Sequence, residues 1–132
     1  MSSIYLAARF DRRAEMEKYA DILKLDGHEI TAQWVYGGEE GKSLEDIALM
    51  DWNDVMRADT LIQFTDPYGT AATGGGRHTE FGLAYGAGKR TLIVGEREQI
   101  FHNLPRVQQF NTLADAMEEL RITGPKWEEM YA

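Results

Sequence analysis

Ile4-Tyr5-Leu6-Ala7-Ala8 is the stretch on which the fold turns. Five successive residues without a charge and without polar alternation do not suit a strand with one wet face. They suit a strand buried on both faces, the kind found in parallel sheets. Two further runs of this type follow: Thr60-Leu61-Ile62-Gln63-Phe64-Thr65, and the stretch over 90–94, continuously apolar in its middle. Helical patterns lie between them. Met16, Tyr19, Ala20 and Leu23 share one face of a helix that Asp11 caps and that stops near Asp26-Gly27. A second strand is expected over 28–35, where β-branched and aromatic residues gather. Ser43 with Asp46 resembles a capping box that opens a helix running to about residue 58. A glycine-rich connection over 66–77 precedes a helix over 78–87, which ends at Gly88. A weak fifth strand over 107–110 and a helix over 113–120 complete the pattern. The tail over 124–132 has no periodicity and reads as a candidate C-terminal arm. Strands alternating with helices in this way predict an α/β doubly wound parallel sheet of about five strands, in one domain over 1–132.

Composition narrows the function. With 132 residues the chain is one ordinary domain, and 43% apolar against 27% charged residues is the balance of a globular protein. It has no cysteine, which excludes disulfide frameworks, thiolate metal sites and cysteine nucleophiles. Twenty-two acidic against 14 basic side chains give a formal charge of −8, which argues against nucleic acid or an anionic membrane as partner. No apolar run approaches a bilayer span and no signal-peptide layout opens the chain, so a cytoplasmic protein is expected.

In a doubly wound sheet, ligands sit at the carboxyl ends of strands. Two loops lie at that edge, one after the first strand and one over 66–77. The second is rich in glycine but matches neither a dinucleotide fingerprint nor a Walker loop. It reads either as a strain-relieving connection or as backbone amides that cradle a small polar ligand. Glu80, in the first turn of the expected helix over 78–87, is the sole acidic residue on a helix of Phe, Leu, Ala, Tyr and Gly. It either complements the helix dipole or serves as nucleophile or base. Asp51 falls inside the stripe set by Leu44, Ile47, Ala48, Val55 and Ala58, where a carboxylate is costly unless paired or used. Asp54, a turn later, is expected to be solvated, and Trp52 and Met56 to be core or subunit contacts. His28 reads as a turn residue, and His78 as either a ligand contact or a helix cap. His102 lies in a turn beside Asn103, and no pair of histidines has metal-ligand spacing, so no metal is expected. Two carboxylates and a glycine loop at one edge point to glycosidic-bond chemistry.

Three stretches then resemble the nucleoside 2-deoxyribosyltransferases and the related nucleoside 5′-monophosphate N-glycosidases. They are Ile4-Tyr5-Leu6-Ala7-Ala8-Arg9, Asp51-Trp52-Asn53-Asp54-Val55-Met56-Arg57-Ala58-Asp59, and Gly76-Arg77-His78-Thr79-Glu80-Phe81-Gly82-Leu83-Ala84 followed by Gly88-Lys89. The resemblance covers residues 4–95 and implies a flavodoxin-like fold. It implies Glu80 as the nucleophile that forms a covalent glycosyl-enzyme, Asp51 as the carboxyl group that engages the departing base, and Tyr5 as the residue that orients Glu80. It implies no cofactor. Arg9, Phe10, Thr73, Gly74, Gly76, Arg77 and His78 are the expected substrate contacts, and Arg9, Arg12, Arg13 and Arg77 are arginines that could meet a 5′-phosphate. A homo-oligomer is expected too, with His102, Asn103 and Arg106 offered to a neighbouring subunit's site. One position departs from the family. Six residues before Glu80, transferases tend to carry aspartate and monophosphate hydrolases serine, whereas this chain has Gly74. Transfer to a second base, hydrolysis, and a non-catalytic nucleotide-binding module all remain open on the sequence, with a flavin-binding electron carrier as a weaker fit.

Overall fold

The computed structural model describes residues 2–67 and 75–121. Five strands form one parallel sheet: β1 (Ser3–Ala7), β2 (Glu29–Ile30), β3 (Thr60–Phe64), β4 (Arg90–Val94) and β5 (Gln108–Phe110), in the order β2-β1-β3-β4-β5. This is the flavodoxin-like order, and its connections reverse direction between β1 and β3. Register is set along the middle of the sheet, where Tyr5 pairs with Leu61 and Ile62 with Leu92. Ile4, Leu6, Leu61, Ile62, Leu92 and Ile93 are fully enclosed. Each contributes roughly 1.5–3 kcal/mol by leaving water. Both faces of these strands are covered, as their unbroken apolar runs require.

Four helices cover the sheet: α1 (Arg13–Leu25), α2 (Leu44–Arg57), α3 (Gly76–Gly86) and α4 (Leu113–Leu120). Helices α2 and α3 pack on one another. Arg121, just past α4, reaches Asp26 at the end of α1, which places α1 and α4 on the opposite face. The Tyr19 ring of α1 stacks on Phe64 at 4.9 Å between centroids. No described helix is long and apolar enough to cross a membrane.

Several expectations are corrected. The strand expected over 28–35 is only two residues long, and Gln33–Tyr36 form a 3-10 turn. Trp34 and Val35 are both buried, but from this turn and not from the sheet. Asp11 does not cap α1. A 3-10 turn (Phe10–Arg12) precedes that helix, and Arg12 occupies the cap position. The apolar stripe on α2 is also rotated: Leu44 is 86% exposed, whereas Met50, Asp54 and Val55 are buried. Ser43 does cap α2, accepting the Asp46 backbone N–H at 3.1 Å. Helix α3 begins at Gly76, two residues earlier than expected, so Glu80 lies past its first turn. The tail over 124–132 lies outside the described residues.

Candidate functional site

A cleft of about 250 Å³ opens where the strand order reverses. That is small for a small-molecule site, where roughly 300–1,000 Å³ is typical. Ala8, Arg9 and Phe10 come to it from the end of β1, and Gly76, Arg77 and Glu80 from the start of α3. Asp51 enters from α2. Six residues picked out in the sequence (Arg9, Phe10, Asp51, Gly76, Arg77 and Glu80) therefore line one cavity. Tyr5 lies beneath it, fully buried, and its hydroxyl donates a short hydrogen bond to Glu80 Oε2. Thr73 and Gly74 lie outside the described residues.

The electrostatics of the three central groups follow from burial. Burial pushes the Glu80 carboxyl up to about 8; the Asp51 charge adds to this, and the Tyr5 hydrogen bond works against it. Asp51 is raised to about 6, first by burial and then by the charges of Asp54 and Glu39. Tyr5 is raised far above an ordinary phenol by burial and by the Glu80 and Asp51 charges, so its hydroxyl remains a donor throughout. Glu80 and Asp51 titrate as a pair, and between about 6 and 8 the pair holds one proton. A carboxylate beside a carboxylic acid can attack with one member and donate a proton with the other.

The wall opposite α3 comes from residues that the sequence reading did not single out for the site. Trp34, Glu39 and Ile47 all line the cleft. Trp34 Nε1 donates to the Leu6 carbonyl at 2.8 Å, and the Phe10 ring lies 6.2 Å from the Trp34 ring. Asp54 explains how this wall is held. It is fully buried, not solvated as expected, and accepts the Gln33 backbone N–H and the Gln33 side-chain amide, each at 3.0 Å. Arg57 closes the arrangement with a 2.5 Å bond to Asp54. This carboxylate ties the 3-10 turn to α2. Its signal in the sequence was weak, because its partner lies 21 residues away.

The arginines form a compensated network. Arg9 Nε is 2.8 Å from Asp66, Arg12 binds Glu15 and the Phe64 and Thr65 carbonyls, and Arg13 donates to the Val35 carbonyl. Arg77 binds Glu98 at 2.6 Å, with both side chains buried, and lies 4.0 Å from Asp66. The expected basic mouth is thus met by a carboxylate at each of its four arginines, most loosely at Arg13, which leans on a carbonyl and reaches Glu17 at 4.0 Å.

His78 and His102 depart from expectation. His78 faces a separate apolar groove with Phe81, Tyr85 and Phe101, away from the Glu80 cleft. His102 is fully buried and thus closed to any neighbouring subunit. The Glu98 backbone N–H donates to His102 Nδ1 at 2.9 Å, so the proton sits on Nε2, which donates to Gln63 Oε1 at 2.8 Å. Gln63 Nε2 then donates to His78 Nδ1 at 3.1 Å. Burial lowers His102 to about 4, which keeps it neutral in this chain of bonds. The chain joins β3, the start of α3 and the loop after β4, and so fixes the helix that carries Glu80. Asn103 and Arg106 are exposed, with Arg106 at a positive φ of 70°. Among the described residues no grouping of His, Asp and Glu suits a metal ion.

No family model matches the chain, and no curated protein matches its sequence. Solved structures do match its fold. A CMP N-glycosidase from Clostridium botulinum superposes with a TM-score of 0.62 at 19% identity, over 92% of this chain and 99% of that one. A 2-deoxyribosyltransferase from Bacillus psychrosaccharolyticus superposes with a TM-score of 0.64 at 22% identity, over 86% of this chain and 89% of that one.

Proposed function

We propose that this chain belongs with the nucleoside 2-deoxyribosyltransferases and N-glycosidases and cleaves the N-glycosidic bond of a 2′-deoxynucleoside through a covalent glycosyl-Glu80 intermediate. The observation that carries this reading is the buried Tyr5–Glu80 hydrogen bond beside Asp51, at the reversal point of the sheet. In the first half-reaction the Glu80 carboxylate attacks C1′ of the sugar and an ester bond forms as the C1′–N bond breaks. The bonding pair leaves with the base, which takes a proton from Asp51. Tyr5 holds Oε2 and leaves Oε1 for attack. In the second half an incoming base attacks C1′, the ester breaks, and Asp51 accepts the proton back. If water attacks instead, the outcome is hydrolysis.

Glu80 needs to be ionised and Asp51 protonated for this to proceed. Positive charge developing at C1′ favours the ionised form of Glu80, and the departing base draws on the Asp51 proton. In the free protein the single proton resides on Glu80, the group with the higher value, and the form with that proton on Asp51 is the minority state that developing charge at C1′ draws on.

A nucleoside is favoured over a nucleotide because the arginines near the cleft are met by Asp66 and Glu98. The alternative, a 5′-monophosphate N-glycosidase, draws support from Arg9, whose side chain is one-third exposed at the cleft. A non-catalytic nucleotide-binding module would bind without turnover and tolerate loss of Asp51. Deoxynucleosides and their 5′-monophosphates, incubated with and without a free acceptor base and resolved by mass spectrometry, separate these outcomes. Exchanged nucleoside supports transfer, free sugar supports hydrolysis, and unchanged substrate contradicts both.

A further inference from the structure

Glu39 stands on a loop built to hold it at the cleft. Gly37 sits at φ +81°, a conformation that suits glycine, and a Cβ on Gly38 would fall 2.8 Å from the Gln33 Cβ and carbonyl oxygen. The Gly37 and Gly38 N–H groups bind the carbonyls of Trp34 and Gln33, and Lys42 N–H binds that of Glu39. Through Gln33 the loop is anchored to the buried Asp54. A carboxylate held this firmly would be expected to have partners. Yet Glu39 Oε2 and Asp51 Oδ1, both on residues lining the cleft, are shut off from water without a donor among the described residues. Unmet acceptors of this kind cost about 1–3 kcal/mol each. The terminal torsion of a carboxylate is soft, so a turn of the Glu39 carboxyl group brings an oxygen into the cleft that its residue lines, where an N–H of a bound ligand can meet it.

We propose that Glu39 selects the base, accepting the exocyclic amine of an amino-substituted heterocycle that lies along the Trp34 wall with Asp51 at its ring. Trp34 and Phe10 supply flat apolar surface, so recognition in the plane of the ring falls to the two carboxyl groups. An amine presents an N–H to Glu39, whereas the corresponding oxo base presents a carbonyl oxygen, acceptor against acceptor. Adenine- and cytosine-type bases are therefore preferred to hypoxanthine- and uracil-type bases. This assignment rests on the functional reading above for its substrate, but not on turnover.

Calorimetric binding of the four free bases to the wild-type protein and to Glu39→Gln tests it directly. Glutamine can turn either its amide N–H or its carbonyl toward the ligand, so it accepts both classes. Each amino base should bind the wild type at least about tenfold more tightly than its oxo partner, and in the variant the two should agree within about twofold. Glu39→Ala, with an unchanged circular dichroism spectrum, should also lose the preference. A wild-type ratio within about threefold, no binding of any base, or a ratio that survives in Glu39→Gln overturns the assignment. Cleavage of the matching deoxynucleosides is measured alongside. Discrimination among bases without cleavage leaves Glu39 as the selector and defeats the enzyme reading; cleavage without discrimination does the reverse.

Discussion

Glu80 holds a position that works against stability, and this can be measured. Its carboxyl is raised to about 8 from an ordinary value of 4.5. The unfolded chain loses this proton near pH 4.5, whereas the folded one keeps it until about pH 8. The folded state therefore binds more protons across that interval, and its stability falls as pH rises through it, then levels off. Glu80→Gln keeps an acceptor for Tyr5 and removes the slope. It should lie close to the wild type near pH 5 and gain about 3–4 kcal/mol on it by pH 8, read by denaturant melts at the two values. A constant difference at both pH values would contradict the burial of this charge. Activity reports on the same proton: kcat/KM should follow a bell with limbs near 6 and 8, where the Asp51–Glu80 pair gains and loses its single proton. In Asp51→Asn the paired titration disappears, and a retained two-limbed profile would reject the pair.

The strands and helices differ in how much of their placement could be read from their own residues. Strand β4 and helix α4 were legible to the residue, because each is a self-contained apolar pattern bounded by glycine or a capping threonine. The region of β2 was not. Ala32, Trp34 and Val35 look like strand residues, but Asp54 captures Gln33 and holds the segment as a turn. The phase of α2 was misread for a related reason, since a fully satisfied aspartate takes a core position that apolar counting gives to Leu44. Glu80 and Asp51 were legible because a carboxylate stands out on an apolar helix or stripe, and Tyr5 through the family resemblance, whereas Glu39 and Trp34 reach the cleft through tertiary contacts alone. Removing the anchor should show its weight. Asp54→Ala leaves the Gln33 backbone N–H without its acceptor, while the half-exposed Arg57 can turn to water, and should cost about 1–3 kcal/mol. Gln63→Leu breaks the His102–Gln63–His78 chain and should lower kcat while α3 stays folded by circular dichroism. Unchanged kcat in that variant would remove the network from any part in holding Glu80.

For the molecule as a whole, the formal charge of −8 matters less than its arrangement. Sequence alone placed four arginines around the site and implied a basic mouth. The fold sets Asp66 and Glu98 against them and leaves Glu39, Asp51 and Glu80 facing the cleft. A neutral nucleoside suits that field better than a phosphate dianion. Its kcat/KM should exceed that of the 5′-monophosphate by about tenfold or more and change little with salt. Preference for the monophosphate, weakening as salt rises, would reverse this reading. The outer face of α2 leaves Leu44, Leu49 and Trp52 exposed, an apolar surface that the homo-oligomer expected from the sequence would cover. Sedimentation should give at least twice the 15.0 kDa chain mass, and a monomer at micromolar concentration would oppose it.

In the proposed reaction Glu80 carries the sugar between two bases. Base exchange on a 2′-deoxynucleoside, followed chromatographically for the wild type, Glu80→Gln and Glu80→Ala, tests it most directly. Both variants should fold and bind base yet turn over at least about a thousandfold more slowly. Activity within about tenfold of the wild type in both would contradict the covalent role of Glu80.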